Sequence, residues 1–218
     1  MLPVSVRTVT EKADNTSLYY MSISKTRQKL MEVARSLFAK QGLEATTMND
    51  IAATSGKGRR TLYTYFRNKE EIYYSVIEEE LERLTEKMDE VAQMDAEPEQ
   101  KVISLIYTHL NMIRETVARN GSLRAEFFRN IWMVEMVRKN FDLKEIEILR
   151  RVLEEGVGKA RFRIDNVGLV AEIIHYSVKG LEVPFIYDRL GRDLSEAESR
   201  PIVMNLVRRA LGMSELKV

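Results

Sequence analysis

The chain contains no cysteine in its 218 residues. Disulfides, thiolate metal sites and a cysteine nucleophile are excluded, and a reducing, cytoplasmic setting is the expectation. Only two histidines occur, His109 and His175. Neither is spaced with the other, or with a carboxylate, in a metal-ligand pattern. Both read as core or surface residues, and no metal is expected. No apolar run approaches the roughly 20 residues that span a bilayer, so no membrane partner is expected. The first twenty residues carry acids and lack an uninterrupted apolar stretch, unlike a secretion signal. No phosphate-cradling loop, nucleophile elbow or other catalytic motif is present. The expectation is a protein without catalytic residues or cofactor, that is, not an enzyme.

Proline is also scarce, with four in the chain, and β-branched residues seldom alternate. Leu, Glu, Lys, Arg, Met and Ala dominate instead, which favours an all-α fold. The length suits one large domain or two smaller ones, each with its own core. The net charge is only +1, but it is unevenly spread. From Ser24 to Lys69 there are ten basic residues against three acidic ones, a surplus of seven. Residues 1–23 balance, so the rest of the chain carries six net negative charges. A basic module joined to an acidic one is the electrostatic footprint of a nucleic-acid reader with a partner domain. A charge run is equally compatible with an ordinary solvated face.

Residues 1–23 are polar and aperiodic and read as a flexible arm, with MSISKTRQKL from Met21 resembling a natural start. Leu30, Val33, Ala34, Leu37 and Phe38 then recur at helical spacing, and Gly42 supplies a stop. Thr47 suits the cap of a short helix, with Asp50 placed to complete a capping box and Ile51 and Ala52 as its buried face. After the turn glycines Gly56 and Gly58, a second short helix from Arg59 to Phe66 puts Leu62 and Phe66 inward. Asn68 caps a long helix over about 69–93, with Tyr73, Ile77, Leu81, Leu84, Met88 and Val91 on one face. Pro98 opens another, striped by Val102, Leu105, Ile106, Leu110, Ile113 and Val117 and stopped by Asn120-Gly121. Further helices are predicted from Ser122 to Lys139 and from Leu143 to Lys159. Two more follow, from Val167 to Asp188, disturbed near Gly180 and Pro184, and from Ser199 to Leu211.

The stretch from Thr46 to Tyr74, TTMNDIAATSGKGRRTLYTYFRNKEEIYY, carries the functional signal. Two short helices joined by a glycine-containing turn, with an apolar helix on either side, make a helix-turn-helix. Its second short helix holds Arg59, Arg60, Thr61, Tyr63, Thr64 and Tyr65, which suit phosphates, base edges and thymine methyls.

LFAKQG at 37–42, TMNDIA at 47–52 and TLYTYFRNKEE at 61–71 resemble the N-terminal pattern of the tetracycline-repressor (TetR) family. The resemblance covers about Lys25 to Tyr74, and the helical C-terminal half agrees with it. Lys57, Gly58 and Arg60 depart from the residues usual in that pattern. The resemblance implies an N-terminal three-helix reading head over 24–70. It also implies a C-terminal helical domain over 71–218 that binds an effector and dimerises, with the helix over 69–93 connecting the two. It implies phosphate contacts from Thr47 and Lys69 at helix N-termini, phosphate or base contacts from Tyr63 and Tyr65, and base readout by Arg59, Arg60 and Thr61. Lys57 adds charge to the same DNA-binding set.

In the C-terminal half, Val170, Ile174, Val178 and Leu181, with Ile202, Val203, Leu206, Val207 and Ala210, form two stripes that suit a homodimer bundle. Packing within the subunit is the alternative. Tyr107, Phe127, Phe128, Trp132, Met133, Met136 and Phe141 form an aromatic and methionine set that suits an adaptable apolar cavity. Ordinary core is the alternative there. The expected function is a transcriptional regulator, a repressor released from palindromic double-stranded operator DNA by an unidentified apolar or amphipathic small molecule. An effector-independent architectural or division-linked DNA binder is the other reading.

Overall fold

Periodicity translates directly into helices. The computed structural model describes residues 25–119 and 131–213, with the backbone alone at 131–137. Among the described residues there are eight helices and no strand. They are α1 (25–41), α2 (Met48–Ser55), α3 (Arg59–Tyr65), α4 (Lys69–Gln93), α5 (Pro98–Arg119), α6 (Ile131–Gly158), α7 (Val167–Ile186) and α8 (Glu196–Ala210). The described residues form two compact units, one up to Val76 and one from Ile77 onward, the division falling within α4. No described helix is long and apolar enough to cross a membrane.

In the first unit, Leu30, Ala34, Phe38, Ile51, Leu62, Phe66, Ile72 and Tyr73 are buried. Each large side chain removed from water contributes about 1.5–3 kcal/mol. The Phe38 and Tyr73 rings meet edge-on with centroids 6.1 Å apart, tying α1 to the start of α4. Arg27 reinforces the same junction: its guanidinium lies 5.1 Å from the Phe66 ring centroid and donates to Ser75 Oγ at 2.9 Å.

In the second unit, α5 packs against α6, α7 and α8, and α6 against α7. Val102 and Leu105 of α5 share a core with Leu149, Val152 and Leu153 of α6 and Ala171 of α7. Gly156 of α6 lies so close to Phe162 that a Cβ there would collide with the ring. That close approach seats Phe162 in the core at 3 % exposure.

Three expectations about helix limits need correction. The break predicted between Lys139 and Leu143 is absent, because α6 runs on to Gly158. Asn140 and Asp142 are weak helix formers, but Phe141 and Asp142 are buried, and their tertiary partners outweigh propensity. Likewise, α7 continues through Gly180 and Pro184 to Ile186. Pro184 sits close to the helix end, and its carbonyl still accepts from the Arg189 N–H at 2.8 Å. Finally, α8 begins at Glu196, not Ser199, because Ser195 and Glu198 form a capping box. The predicted arm over 1–23, the stop at Asn120-Gly121 and the helix start at Ser122 lie outside the described residues.

Candidate functional site

The helix-turn-helix is built from its caps. Thr47 and Asp50 satisfy each other: the Asp50 N–H donates to Thr47 Oγ1 at 3.2 Å, and the Thr47 N–H donates to Asp50 Oδ2 at 2.9 Å. The Thr47 hydroxyl, which donates to the same Oδ2 at 2.8 Å, and the Thr47 N–H together hold the Asp50 carboxyl below its usual range. At the other end of α2, Gly56 adopts φ 66° and ψ 24°, a left-handed conformation that a side chain would strain. The chain then turns, and the Lys57 N–H donates to the Ala52 carbonyl at 3.1 Å. Leu62 and Phe66 are buried beneath α3, which fixes its outward face.

That face carries the predicted residues together. Arg59, Arg60 and Tyr63 are exposed, Thr61 and Tyr65 half-buried. The Arg59 guanidinium lies 5.9 Å from the Tyr63 ring centroid, the two residues being one turn apart. Thr47 is exposed and Lys57 half-buried at the turn. Lys69, half-buried, donates to the carbonyls of Leu43 and Glu44 at 2.8 and 3.1 Å. No acidic residue lies between Asp50 and Glu70, so the turn and α3 carry positive charge alone.

Of the predicted ligand residues, Tyr107 and Phe141 are buried. Phe127 and Phe128, and the side chains of Trp132, Met133 and Met136, lie outside the described residues. Tyr107 borders an open groove of about 520 Å³ that also takes in Ser104, Asn111, Met112 and Arg200. Its hydroxyl is 2.8 Å from Ser199 Oγ. In the predicted dimer stripes, Val178 is buried, and Val170, Ile174 and Val207 pack against the subunit's own core. Leu181 and Val203 are half-buried, while Ala210, Ile202 and Leu206 are exposed. The large apolar residues α7 leaves outside are Leu169, Ile173, Tyr176 and Val183, one or two positions removed from the predicted ones.

The sequence reading passed over a buried polar cluster in the second unit. His109 of α5 lies between Glu145 of α6, at 3.2 Å from Nδ1, and Glu182 of α7, at 2.9 Å from Nε2. Burial disfavours a charged His109, but the two carboxylates outweigh it and lift the imidazole to about 9. Burial likewise opposes charge on Glu145 and Glu182, and their partners nevertheless bring both down to about 2. Arg138 donates to Glu182, and Lys179 to Asp142 Oδ2 at 2.7 Å. His175 faces Asp142 and Glu145. No spacing rule signals this set, since its members come from three separate helices.

Comparison with known proteins agrees with the reading head. Residues 30–76 match the model of the bacterial regulatory proteins of the tetR family. The HTH-type transcriptional regulator YfiR of Bacillus subtilis is 28% identical over 147 residues, 64% of this chain and 69% of that protein. The HTH-type transcriptional repressor KstR2 of Mycolicibacterium smegmatis is 27% identical over 154 residues, 68% and 73% of the two chains. Among solved structures, the fatty acid degradation regulator FadR of Bacillus halodurans shares the fold. Its TM-score is 0.64 at 18% identity, covering 87% of this chain and 97% of that one. With the capped reading head on one side and these likenesses on the other, the chain carries a helix-turn-helix similar to that of the bacterial regulatory proteins of the tetR family.

Proposed function

We propose that the protein is a homodimeric repressor that leaves its palindromic operator when a small apolar or amphipathic molecule binds the second unit. The observation that carries the DNA-reading part is the outward face of α3, basic and aromatic above a buried Leu62 and Phe66. In this reading Arg59, Arg60 and Thr61 meet base edges in the major groove. Thr47 and Lys69 meet phosphates, with Lys57, Tyr63 and Tyr65 beside them. The repressor sign is supported by the name of KstR2. The amphipathic effector class is supported by the name of FadR, and its contacts are Tyr107, Phe141 and the predicted residues between 127 and 136.

Two half-sites need a fixed separation, which a dimer supplies. The exposed stripe Leu169, Ile173, Tyr176 and Val183 on α7, with Ile202 and Leu206 on α8, supports that assembly. Single apolar residues on a surface are ordinary, but the four on α7 recur along one side of a single helix, a stripe that a second copy would cover.

The test is selection of bound fragments from genomic DNA, followed by titration of the selected operator with and without ligands found by thermal-shift screening. The ligand should weaken operator binding by about 5- to 150-fold, and the operator should weaken ligand binding by the same factor. A protein whose operator affinity no screened or co-purified ligand changes is a DNA binder without an effector.

A further inference from the structure

We propose that Asp142, Glu145 and His175 form a binding site for a divalent transition-metal cation between α6 and α7. Asp142 and Glu145 stand three residues apart on one face of α6, and His175 faces them from α7. One potential ligand atom from each lies within 4.8 Å of the other two. Metal–ligand distances near 2.0–2.2 Å require donors no more than about 4.4 Å apart, so side-chain shifts of a few tenths of an ångström bring three donors within reach of one cation, with a fourth position left to water. One imidazole with two carboxylates is a donor set for Zn²⁺ or Co²⁺ rather than for Mg²⁺. The site stands in the second unit and does not depend on DNA release or on an organic effector.

The orientation of the two carboxylates is the first observation. Each has one oxygen held from outside the site: Glu145 Oε1 by His109 at 3.2 Å, and Asp142 Oδ2 by Lys179 at 2.7 Å. Each turns the other oxygen toward His175: Glu145 Oε2 lies 3.1 Å from Nδ1, and Asp142 Oδ1 lies 3.4 Å from Nε2. Outer groups that hold metal-binding carboxylates in place are the usual support of such centres.

The second observation is that two inward atoms lack an aligned hydrogen bond. Glu145 Oε2 and His175 Nε2 are buried without a donor or acceptor in bonding geometry, despite those short approaches. The side chains are 4 % and 2 % exposed. A buried polar atom left so is costly, and a coordinated cation would satisfy both.

The full chain, made without a histidine tag and stripped with chelator, is titrated with Zn²⁺ by calorimetry and with Co²⁺ by absorption spectroscopy. One site per chain is expected, with visible Co²⁺ bands and a raised unfolding midpoint. His175→Gln and Asp142→Asn should each weaken Zn²⁺ binding more than about 10-fold while leaving the helical circular dichroism intact. With only His109 and His175 in the chain, X-ray absorption showing a single imidazole ligand provides the check if those variants do not fold. No saturable uptake by the unmodified protein, a site without imidazole, or unchanged affinity in both folded variants would reduce the cluster to a closed ion-pair network and overturn the proposal.

Discussion

The ammonium of Lys69 reaches back 26 residues to donate to the carbonyl of Leu43 at 2.8 Å. A second bond to the Glu44 carbonyl at 3.1 Å engages another of its three protons. The side chain thereby pins the loop after α1 to the first turn of α4. In the proposed complex the third proton is available to a phosphate. Lys69→Ala should therefore weaken all DNA sequences alike and also lower stability by about 1.5 kcal/mol, the scale of a hydrogen bond from a charged donor. Lys57→Ala should affect DNA binding only. Urea unfolding beside DNA titration separates the two effects, and a Lys69→Ala protein of unchanged stability would show that its carbonyl bonds do no structural work.

Base readout and phosphate contact should separate by specificity. Arg59→Ala and Arg60→Ala should narrow the gap between the selected operator and a scrambled duplex by about 1–3 kcal/mol each. Each phosphate neutralised steepens the fall of log affinity with log salt by about 0.9. Fluorescence anisotropy over a salt series measures both quantities. Equal losses on every duplex would remove the arginines from base recognition.

Leu206 is 68 % exposed and Ile173 55 % exposed, and both are proposed to be covered by a second copy of the chain. A glutamate at either position would strand a charge in an apolar interface, so Leu206→Glu and Ile173→Glu should give folded monomers. Val170→Glu is a different case, because Val170 packs against the subunit's own core and its loss should unfold the protein. Light scattering at micromolar concentration distinguishes these outcomes, and a monomeric unmodified protein would refute the dimer.

Caps and turn make the reading head rigid at small energetic cost. Thr47→Ala removes the acceptor for the Asp50 N–H and should cost about 1 kcal/mol. Gly56→Ala meets open space but a backbone at φ 66°, so it should destabilise by strain without any clash. Chemical denaturation of the two variants checks both, and Gly56→Ala at full stability would contradict the left-handed cap.

Much of this molecule is readable locally. Apolar spacing of three and four residues located α1 through α5, because a helix repeats its faces regardless of what it packs against. Thr47 with Asp50, Gly56 after α2, and Asn68 before α4 act over a few residues, and the structure shows each performing its expected bond or turn. The surplus of positive charge before Glu70 is a property of composition alone.

What the sequence alone determined stops where partners are distant in the chain. The helices predicted to end at Lys139 and to start again at Leu143 are one, because burial of Phe141 and Asp142 carries α6 straight through. On α7 the periodicity located a helix but not its inward side: Val170 and Ile174 pack on the core, and Leu169 and Ile173 face out. His109 acquires its partners across 36 and 73 residues, so no local pattern announces them. Those pairings exist only once α5, α6 and α7 pack, because burial removes the water that would otherwise solvate each charge. Removal of that water is a tertiary event, and it turned two apparently ordinary histidines into the centre of a buried charge network.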